Sequence, residues 1–253
     1  MRLKGKTAII TGAASGFGKG IAIRFAEEGA NVVIADINEE NGLNVVDEIS
    51  KKNGVSSFVN VDVSNSLSVK KMIEFAVENY SSLDILVNNA GWAYSNRSSL
   101  DVSENDFDKL ISVNIKSLYL GTIYAVPVMR KDKKSGVIIN IASTAAVRPR
   151  PNLTWYNATK GAAVTITKSL ALELSSDNIR VCAINPVIGE TGLLETFMGM
   201  KDTPKNREKF LESIPLGRFS KPKDIANAAL FLASNEAEFL TGVCLDVDGG
   251  RSI

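Results

Sequence analysis

The segment Thr7–Gly18, TAIITGAASGFG, decides the fold of this 253-residue chain. Its first five residues are mostly apolar or β-branched, which is typical of a short strand that is buried on both faces. Glycine occupies three of the next seven positions, and apolar residues then recur at helical spacing from Ile21 to Phe25. Because the glycine turn lies directly between the two patterns, the segment predicts a buried strand that leads at once into a helix.

The rest of the chain repeats this alternation without an internal repeat or a linker. Strands are predicted at Thr7–Thr11, Asn31–Asp36, Ser57–Asp62, Asp84–Asn88, Gly136–Ser143, Ile179–Asn185 and Val243–Val247. Helices are predicted at Gly18–Glu28, Glu39–Asn53, Ser66–Tyr80, Asp106–Val128, Tyr156–Asp177, Thr203–Ile214 and Lys221–Ser234. The pattern predicts the α/β class, as a Rossmann-type doubly wound parallel sheet of about seven strands with helices on both faces. We expect one domain over residues 1–253.

Composition argues against several classes of partner. The chain has 29 lysines and arginines against 28 acidic residues, so its net charge provides no electrostatic attraction to nucleic acid or to an anionic membrane. The segment Met1–Lys6 lacks the apolar core of a secretory signal, and no apolar stretch is long enough to cross a bilayer. We therefore expect a cytoplasmic protein with neither a nucleic-acid nor a membrane partner.

The absence of histidine narrows the possible chemistry. It excludes Ser-His and Cys-His nucleophiles and the usual histidine metal sites. The two cysteines, Cys182 and Cys244, lie apart in apolar runs, so we expect buried reduced thiols and no metal site. Proton transfer must then come from a carboxylate, lysine, tyrosine or cysteine.

The glycine turn suits a dinucleotide. Glycines 12, 16 and 18, with Ser15 and Phe17 between them, let backbone N–H groups approach a pyrophosphate at the start of a helix. Asp36 ends the second strand, 24 residues after Gly12, where a carboxylate can bind the adenosine ribose and repel a 2′-phosphate. Since neither Ile37 nor Ser15 offers a cation, NAD(H) is favoured over NADP(H). The glycines by themselves could be ordinary turn chemistry.

The next two strand ends add residues suited to the same ligand. Asp62 and Val63 follow the third strand, where they could meet the adenine. Asn88–Gly91 follows the fourth, and its small residues Asn89, Ala90 and Gly91 would leave space beside the cofactor. Either motif could also serve only as a turn.

Several motifs in order resemble the short-chain dehydrogenase/reductase family, in its compact single-domain branch. They are the glycine turn, Asn88–Gly91, Asn114, Ser143 and the pair Tyr156-x-x-x-Lys160, and the likeness covers essentially the whole chain. The resemblance implies hydride transfer between a nicotinamide and an alcohol or carbonyl substrate, with Tyr156 as acid and base. It also implies that Lys160 holds the nicotinamide ribose and that Asn114 organises a proton-relaying water.

The resemblance extends to the run after the sixth strand and to assembly. Pro186, Gly189 and Thr191 would meet the nicotinamide end, although Val187 replaces the family's usual glycine and leaves the local backbone path open. Members commonly form homotetramers through two long helices and the last strand, so a homotetramer is expected.

The residues themselves support this chemistry. Tyr156 and Lys160 are four apart on a predicted helix and share a face. A free phenol has a pKa of about 10, and an adjacent ammonium favours the phenolate, so we predict a lowered pKa for Tyr156. Ser143 can hydrogen-bond the substrate oxygen.

The substrate end is less specific. Residues 192–214 should form a substrate lid, whose apolar side chains could line a wall or be the packed face of a small helix. Trp92, Ala145, Arg150 and Trp155 are candidate substrate contacts. Arg148 and Arg150 could clamp an acidic substrate, although solvated loop or subunit-interface charges are the more common outcome for arginines in loops.

Four functions remain open at this point. The leading one is an NAD(H)-dependent oxidoreductase for a sugar or small hydroxy compound. A 3-oxoacyl-[acyl-carrier-protein] reductase is an alternative; Asp36, and Asp177 where those reductases tend to carry a basic residue, count against it. A non-catalytic dinucleotide-binding regulator and an NAD-using epimerase or dehydratase complete the set.

Overall fold

A computed structural model describes residues 1–131 and 135–253. Within them, one sheet of parallel strands has the order β3-β2-β1-β4-β5-β6-β7. The strands are β1 Thr7–Thr11, β2 Asn31–Asp36, β3 Val55–Asn60, β4 Ile85–Asn88, β5 Gly136–Ile141, β6 Ile179–Pro186 and β7 Cys244–Val247. The predicted fold class, a doubly wound parallel sheet, is confirmed.

Helices cover both faces of the sheet. They are α1 Gly16–Glu27, α2 Glu39–Ser50, α3 Ser66–Tyr80, α4 Glu104–Ile111, α5 Ser117–Arg130, α6 Thr154–Glu173, α7 Leu194–Met198, α8 Pro204–Leu211 and α9 Pro222–Ala233. Alternate residues of each strand face opposite layers. Ile10 packs with α1, α2 and α9, whereas Ile9 packs with α3, α5 and α6. This two-sided burial explains why the strands read as continuous apolar runs.

Most predicted bounds differ from the structure by a few residues, and two of the differences have a clear physical cause. Strand β3 begins at Val55 instead of Ser57, because its exposed edge position gives a weak apolar signal. The predicted helix Asp106–Val128 consists of α4, a π-helical turn at Ser112–Lys116 and α5. A π turn inserts one extra residue and is not visible in hydrophobic spacing, and such turns are frequent at functional sites.

Strands β2 and β3 are added to one side of β1, and β4 to β7 are added to its other side. Strands β1 and β4 are therefore neighbours although they are not consecutive. In a doubly wound sheet, a crevice forms at the carboxyl ends of the strands at this switch point. Across the residues described, no helix combines the length and hydropathy needed to traverse a bilayer. The same residues include no cluster of three acidic or cysteine side chains suited to a metal ion.

Candidate active site

A cavity of about 580 Å³ lies at the switch point. Ligand sites for small molecules and cofactors span roughly 300–1,000 Å³. The cavity is lined by almost every residue expected to bind the cofactor, namely Gly12, Ser15, Gly16, Phe17, Asp36, Ile37, Asp62, Val63, Asn89, Ala90, Gly91, Tyr156, Lys160, Pro186, Gly189 and Thr191. Ser143 lines it as well. The structure therefore brings the dinucleotide motif and the proposed chemical groups to one site.

The glycine turn has no room for side chains. Gly12 has a φ of +64°, and a Cβ there would lie 2.9 Å from Ala90 Cα. Gly18 does not line the cavity; a Cβ on it would clash with the Gly12 carbonyl oxygen, so it serves close packing inside the turn. Asn89 Nδ2 donates to the carbonyl oxygens of Thr11 at 2.9 Å and Gly12 at 3.0 Å. Asn89 thus braces the turn in addition to bordering the cavity.

Asp36 is fixed by the backbone around it. Its Oδ2 accepts the Ala14 N–H at 2.9 Å, and its Oδ1 accepts the Asn38 N–H at 3.0 Å. Each oxygen keeps a further lone pair for another donor. No cation among the residues described forms an ion pair with Asp36. The adjacent Ile37 is 70% exposed on the cavity wall.

Tyr156 and Lys160 face the cavity from one side of α6, as their spacing predicts. Both side chains are buried. The Lys160 ammonium donates to the Ile141 carbonyl oxygen at 2.8 Å, which ties α6 to the end of β5. Its Nζ lies 5.8 Å from the centre of the Tyr156 ring. Ser143 follows β5, and its hydroxyl accepts the Ala145 N–H at 3.1 Å, which orients it at the cavity wall.

Burial changes the acid–base prediction. Desolvation raises the pKa of Tyr156 to about 12, and Ser143 and Arg150 oppose that rise without cancelling it. Desolvation also lowers the pKa of Lys160 to about 8. The predicted lowering of the Tyr156 pKa is therefore wrong for the cavity as described, because burial of the phenolate outweighs the Ser143 hydrogen bond and the Arg150 charge.

Asn114 lies behind the cavity wall instead of on it. It occupies the π turn, where its Oδ1 accepts the Trp92 N–H at 2.8 Å and its Nδ2 donates to the Trp92 carbonyl oxygen at 2.9 Å. Nδ2 also lies 3.1 Å from the Thr159 hydroxyl, next to Lys160 in sequence. Asn114 thus joins the exit of β4 to the helix that carries Tyr156 and Lys160.

The apolar residues of the segment 192–214 fall into two groups: some are packed beneath a short helix, and others line the cavity. Leu194 and Met198 of α7 are buried in a small cluster beneath the segment. Leu193 and Phe197 line the cavity, and the Phe197 ring lies 5.1 Å from the Tyr156 ring. Both readings of the segment are therefore correct, each for different residues.

One expected substrate contact needs correction. Trp92, Ala145 and Arg150 line the cavity, but Trp155 does not. Its ring packs edge-on against Phe107, 5.6 Å away, and is 38% exposed. Successive residues of a helix project in different directions, so the inward position of Tyr156 turns its neighbour outward.

Comparisons with known proteins agree with this site. A family profile described as enoyl-(acyl carrier protein) reductase matches residues 12–252. A 4-formylbenzenesulfonate dehydrogenase of Comamonas testosteroni is 47% identical over 253 residues, with 100% of both chains covered. The chain belongs to the short-chain dehydrogenase/reductase family. The resemblance drawn from the motifs is confirmed.

Two further relatives support the same family. A 3-oxoacyl-[acyl-carrier-protein] reductase of Thermotoga maritima is 41% identical over 255 residues, and 100% of each chain is covered. The crystal structure of a 3-ketoacyl-(acyl-carrier-protein) reductase from Brucella melitensis, complexed with NADH, matches with a TM-score of 0.93 and 47% identity. The match covers 99% of this chain and 100% of that one. This short-chain dehydrogenase/reductase is an oxidoreductase for alcohol and carbonyl groups, with a nicotinamide dinucleotide as cofactor.

The departure from the family pattern at Val187 has a structural explanation. Strand β6 continues to Pro186, and the Val187 side chain is buried against the lid cluster of Leu194, Met198 and Ile214. Thr191 still reaches the cavity. Val187 therefore packs beneath residues 192–214 and leaves Thr191 at the cavity.

Sequence reasoning missed several residues of this site. Lys109, Phe210 and Arg251 line the cavity. Arg251 follows β7, and ligands of a parallel sheet can lie at the carboxyl end of this strand as at any other. The double glycine Gly249–Gly250, both with positive φ, is the signal that could have found it, because it turns the chain back towards the cavity.

Proposed function

We propose that this chain is an NAD(H)-dependent dehydrogenase/reductase in which Tyr156 exchanges the proton, Ser143 holds the reacting oxygen, and Lys160 binds the nicotinamide ribose. The observation that carries the proposal is the convergence of these three side chains on the cavity that also contains the glycine turn and Asp36. Residues 1–253 would form one dinucleotide-binding and catalytic domain, with residues 192–214 as its substrate lid.

The residues around the cavity fit an extended dinucleotide. Backbone N–H groups of Ser15, Gly16 and Phe17 precede or begin α1, where an anionic pyrophosphate is favoured. Asp36 would bind the adenosine ribose, and the exposed Ile37 would pack against the adenine together with Asp62 and Val63. Pro186, Gly189 and Thr191 would meet the carboxamide end. When bound, the nicotinamide donates or accepts a hydride at its C4 atom.

Proton transfer is assigned to Tyr156. In reduction, its phenol gives a proton to the oxygen of the former carbonyl; in oxidation, its phenolate takes the proton of the alcohol. The raised pKa of Tyr156 keeps the phenol protonated at neutral pH, ready to act as an acid. Ser143 would donate a hydrogen bond to the developing oxyanion. Asn114 would hold Trp92 and a relaying water in place behind this group.

The cofactor preference gives a first prediction. Wild-type protein should use NAD(H) with a kcat/KM about 100-fold or more above that for NADP(H), because like charges placed together cost several kcal/mol. Asp36→Asn keeps an acceptor for one backbone N–H and removes the charge. We expect that variant to lower the ratio of kcat/KM for NAD(H) to kcat/KM for NADP(H) at least tenfold, mainly by lowering KM for NADP(H). Steady-state rates with both cofactors measure it, and equal use of both by the wild type would contradict the assignment.

Assembly and location are also proposed. Apolar Phe107, Tyr119, Ile123 and Leu172 are exposed on α4, α5 and α6, the helices expected to pair in a homotetramer. Burial of such a surface would stabilise an oligomer. The two cysteines are free thiols, which is consistent with a cytoplasmic location.

A 3-oxoacyl-[acyl-carrier-protein] reductase remains the second candidate, favoured by the names of two relatives. Asp36 and Asp177 count against it. Asp177 is ion-paired with Arg130 at 2.6 Å, so the position before β6 offers no free cation to an acidic carrier. Efficient turnover of an acyl-carrier thioester with NADPH would select this candidate over a sugar or small hydroxy compound. The relatives are named dehydrogenases and reductases, which favours an oxidoreductase over a non-catalytic regulator and over an epimerase or dehydratase.

A further inference from the structure

Three arginines converge on the substrate end of the cavity. Arg148 and Arg150 come from the loop between β5 and α6, and Arg251 comes from the segment after β7. All three line the cavity together with Tyr156. An Arg148 guanidinium nitrogen donates to the Arg251 carbonyl oxygen, so the loop and the chain terminus are joined at this point.

Arg150 is held at the border between this loop and the lid. It donates to the Phe197 carbonyl oxygen at 2.9 Å, and its guanidinium lies 5.0 Å from the centre of the Phe210 ring. It is close enough to the reaction centre to influence the pKa of the Tyr156 phenol, which in turn acts on the pKa of Arg150. Arg150 therefore faces the reacting group while the lid holds it.

No carboxylate of the described residues forms an ion pair with this cluster. In residues 1–131 and 135–253, none of the three arginines lies within 4.0 Å of an acidic oxygen. The buried Arg251 Nη1 has no hydrogen-bond partner. Asp248 is nearby, but its carboxylate accepts the Gly250 N–H at 2.9 Å and the Ser252 N–H at 2.7 Å. Burial lowers the pKa of Arg251, the charge of Arg148 lowers it further, and the charge of Asp248 opposes this only in part.

Crowding three cations in a partly buried site is unfavourable unless an anion enters it. We infer that Arg148, Arg150 and Arg251 form a subsite for a carboxylate or sulfonate group on the substrate. This inference rests on the proposed function, because it assigns the far end of the molecule whose carbonyl or alcohol meets Tyr156. A planar guanidinium suits two oxygens of one oxyanion.

The side chains that line the cavity indicate the chemical nature of the rest of the substrate. Phe197 packs against Tyr156 and Phe210 lies against Arg150, and Trp92 and Leu193 also line the cavity. The substrate class is therefore a small carbonyl or hydroxy compound with an apolar or aromatic body and one terminal oxyanion.

Two other uses of the arginines make different predictions. If they bound a cofactor phosphate, their loss would raise KM for NAD(H). If they were subunit-interface charges, their loss would change the oligomeric mass. The arginines lie on the loop between β5 and α6 and on the segment after β7, whereas the anion-binding glycine turn precedes α1.

Binding measurements on the NADH-loaded protein test the subsite without relying on turnover. Calorimetric titration should show benzoate and benzenesulfonate binding at least tenfold more tightly than benzamide, which has the same ring and no charge. Arg251→Gln and Arg150→Gln should each reduce that preference at least tenfold. Arg130→Gln is the matched control, because it removes a cation that is paired on the surface with Asp177; it should leave the preference unchanged.

The outcomes separate the subsite from the chemistry. With NADH, wild-type kcat/KM for 4-formylbenzoate should exceed that for its uncharged methyl ester at least tenfold. Equal affinity for benzamide and benzoate would overturn the subsite, and so would variants that weaken NADH binding or alter the mass seen by light scattering. Intact anion preference in a Tyr156→Phe protein that still turned over would keep the subsite and reject the proposed acid and base.

Discussion

Replacement of Tyr156 by phenylalanine should lower kcat by about 10²–10⁴-fold, the usual contribution of a general acid or base. Phenylalanine fills the same buried space beside Phe197 but cannot exchange a proton. NADH affinity should stay within about fivefold of wild type, because a single hydrogen bond contributes only about 1 kcal/mol. Nicotinamide absorbance under saturating cofactor and substrate measures the loss, and fluorescence titration measures the affinity.

Tyr94 offers a matched control for the same atomic change. It is 1% exposed, and its hydroxyl accepts the Trp155 N–H at 3.3 Å without lining the cavity. Tyr94→Phe should retain kcat and lose about 1–3 kcal/mol of unfolding free energy, because the Trp155 backbone N–H loses its acceptor. Equal losses of activity in the two variants would mean that Tyr156 acts through packing instead of through its proton.

Replacement of Lys160 by methionine is expected to lower kcat/KM by about 10²–10³-fold, comparable to removing one donor from an oxyanion site. Methionine removes the donor to the Ile141 carbonyl oxygen and, under the proposed function, the donor to the nicotinamide ribose. Methionine has a similar length and no charge, so the fold around α6 should persist. Steady-state kinetics with NAD⁺ and with NADH measure both directions of the reaction.

The Lys160→Met variant also tests how the stability of the protein depends on pH. Burial lowers the pKa of Lys160 from 10.5 to about 8, so the unfolded chain binds more protons between these values. The free energy of unfolding of the wild type should therefore rise as the pH increases through this window. Below the window, burial of the charged amine destabilises the folded state by about 3 kcal/mol. Lys160→Met should remove this rise in urea unfolding at pH 7 to 10.5. An unchanged pH slope would mean that the ammonium is not desolvated.

The sequence was sufficient for features that depend on local spacing. The glycine turn, Asp36 at the end of β2, and the pair Tyr156 and Lys160 each follow from a short pattern, and the parallel sheet places them at one edge. Continuous apolar strands identified the layers because both faces of the sheet are buried.

Features that depend on three-dimensional surroundings could not be predicted. The pKa of Tyr156 rises because of burial, which a pair spacing does not report. The π turn at Asn114 has no apolar signature, and Trp155 faces outward although it adjoins Tyr156. Arg251 joins Arg148 across 103 positions of sequence, a distance that motif spacing cannot bridge.

A crystal structure of the NADH complex tests the central claim most directly, which is that Tyr156 and Lys160 meet the reactive end of a cofactor held by the glycine turn. The nicotinamide C4 should lie beside Tyr156, leaving space for a substrate carbon at a reacting distance of about 3–3.5 Å. The adenosine ribose should be hydrogen-bonded to Asp36, and the Lys160 amine to the nicotinamide ribose. A complex with the adenosine at Tyr156, or with the nicotinamide outside the cavity, would contradict the account.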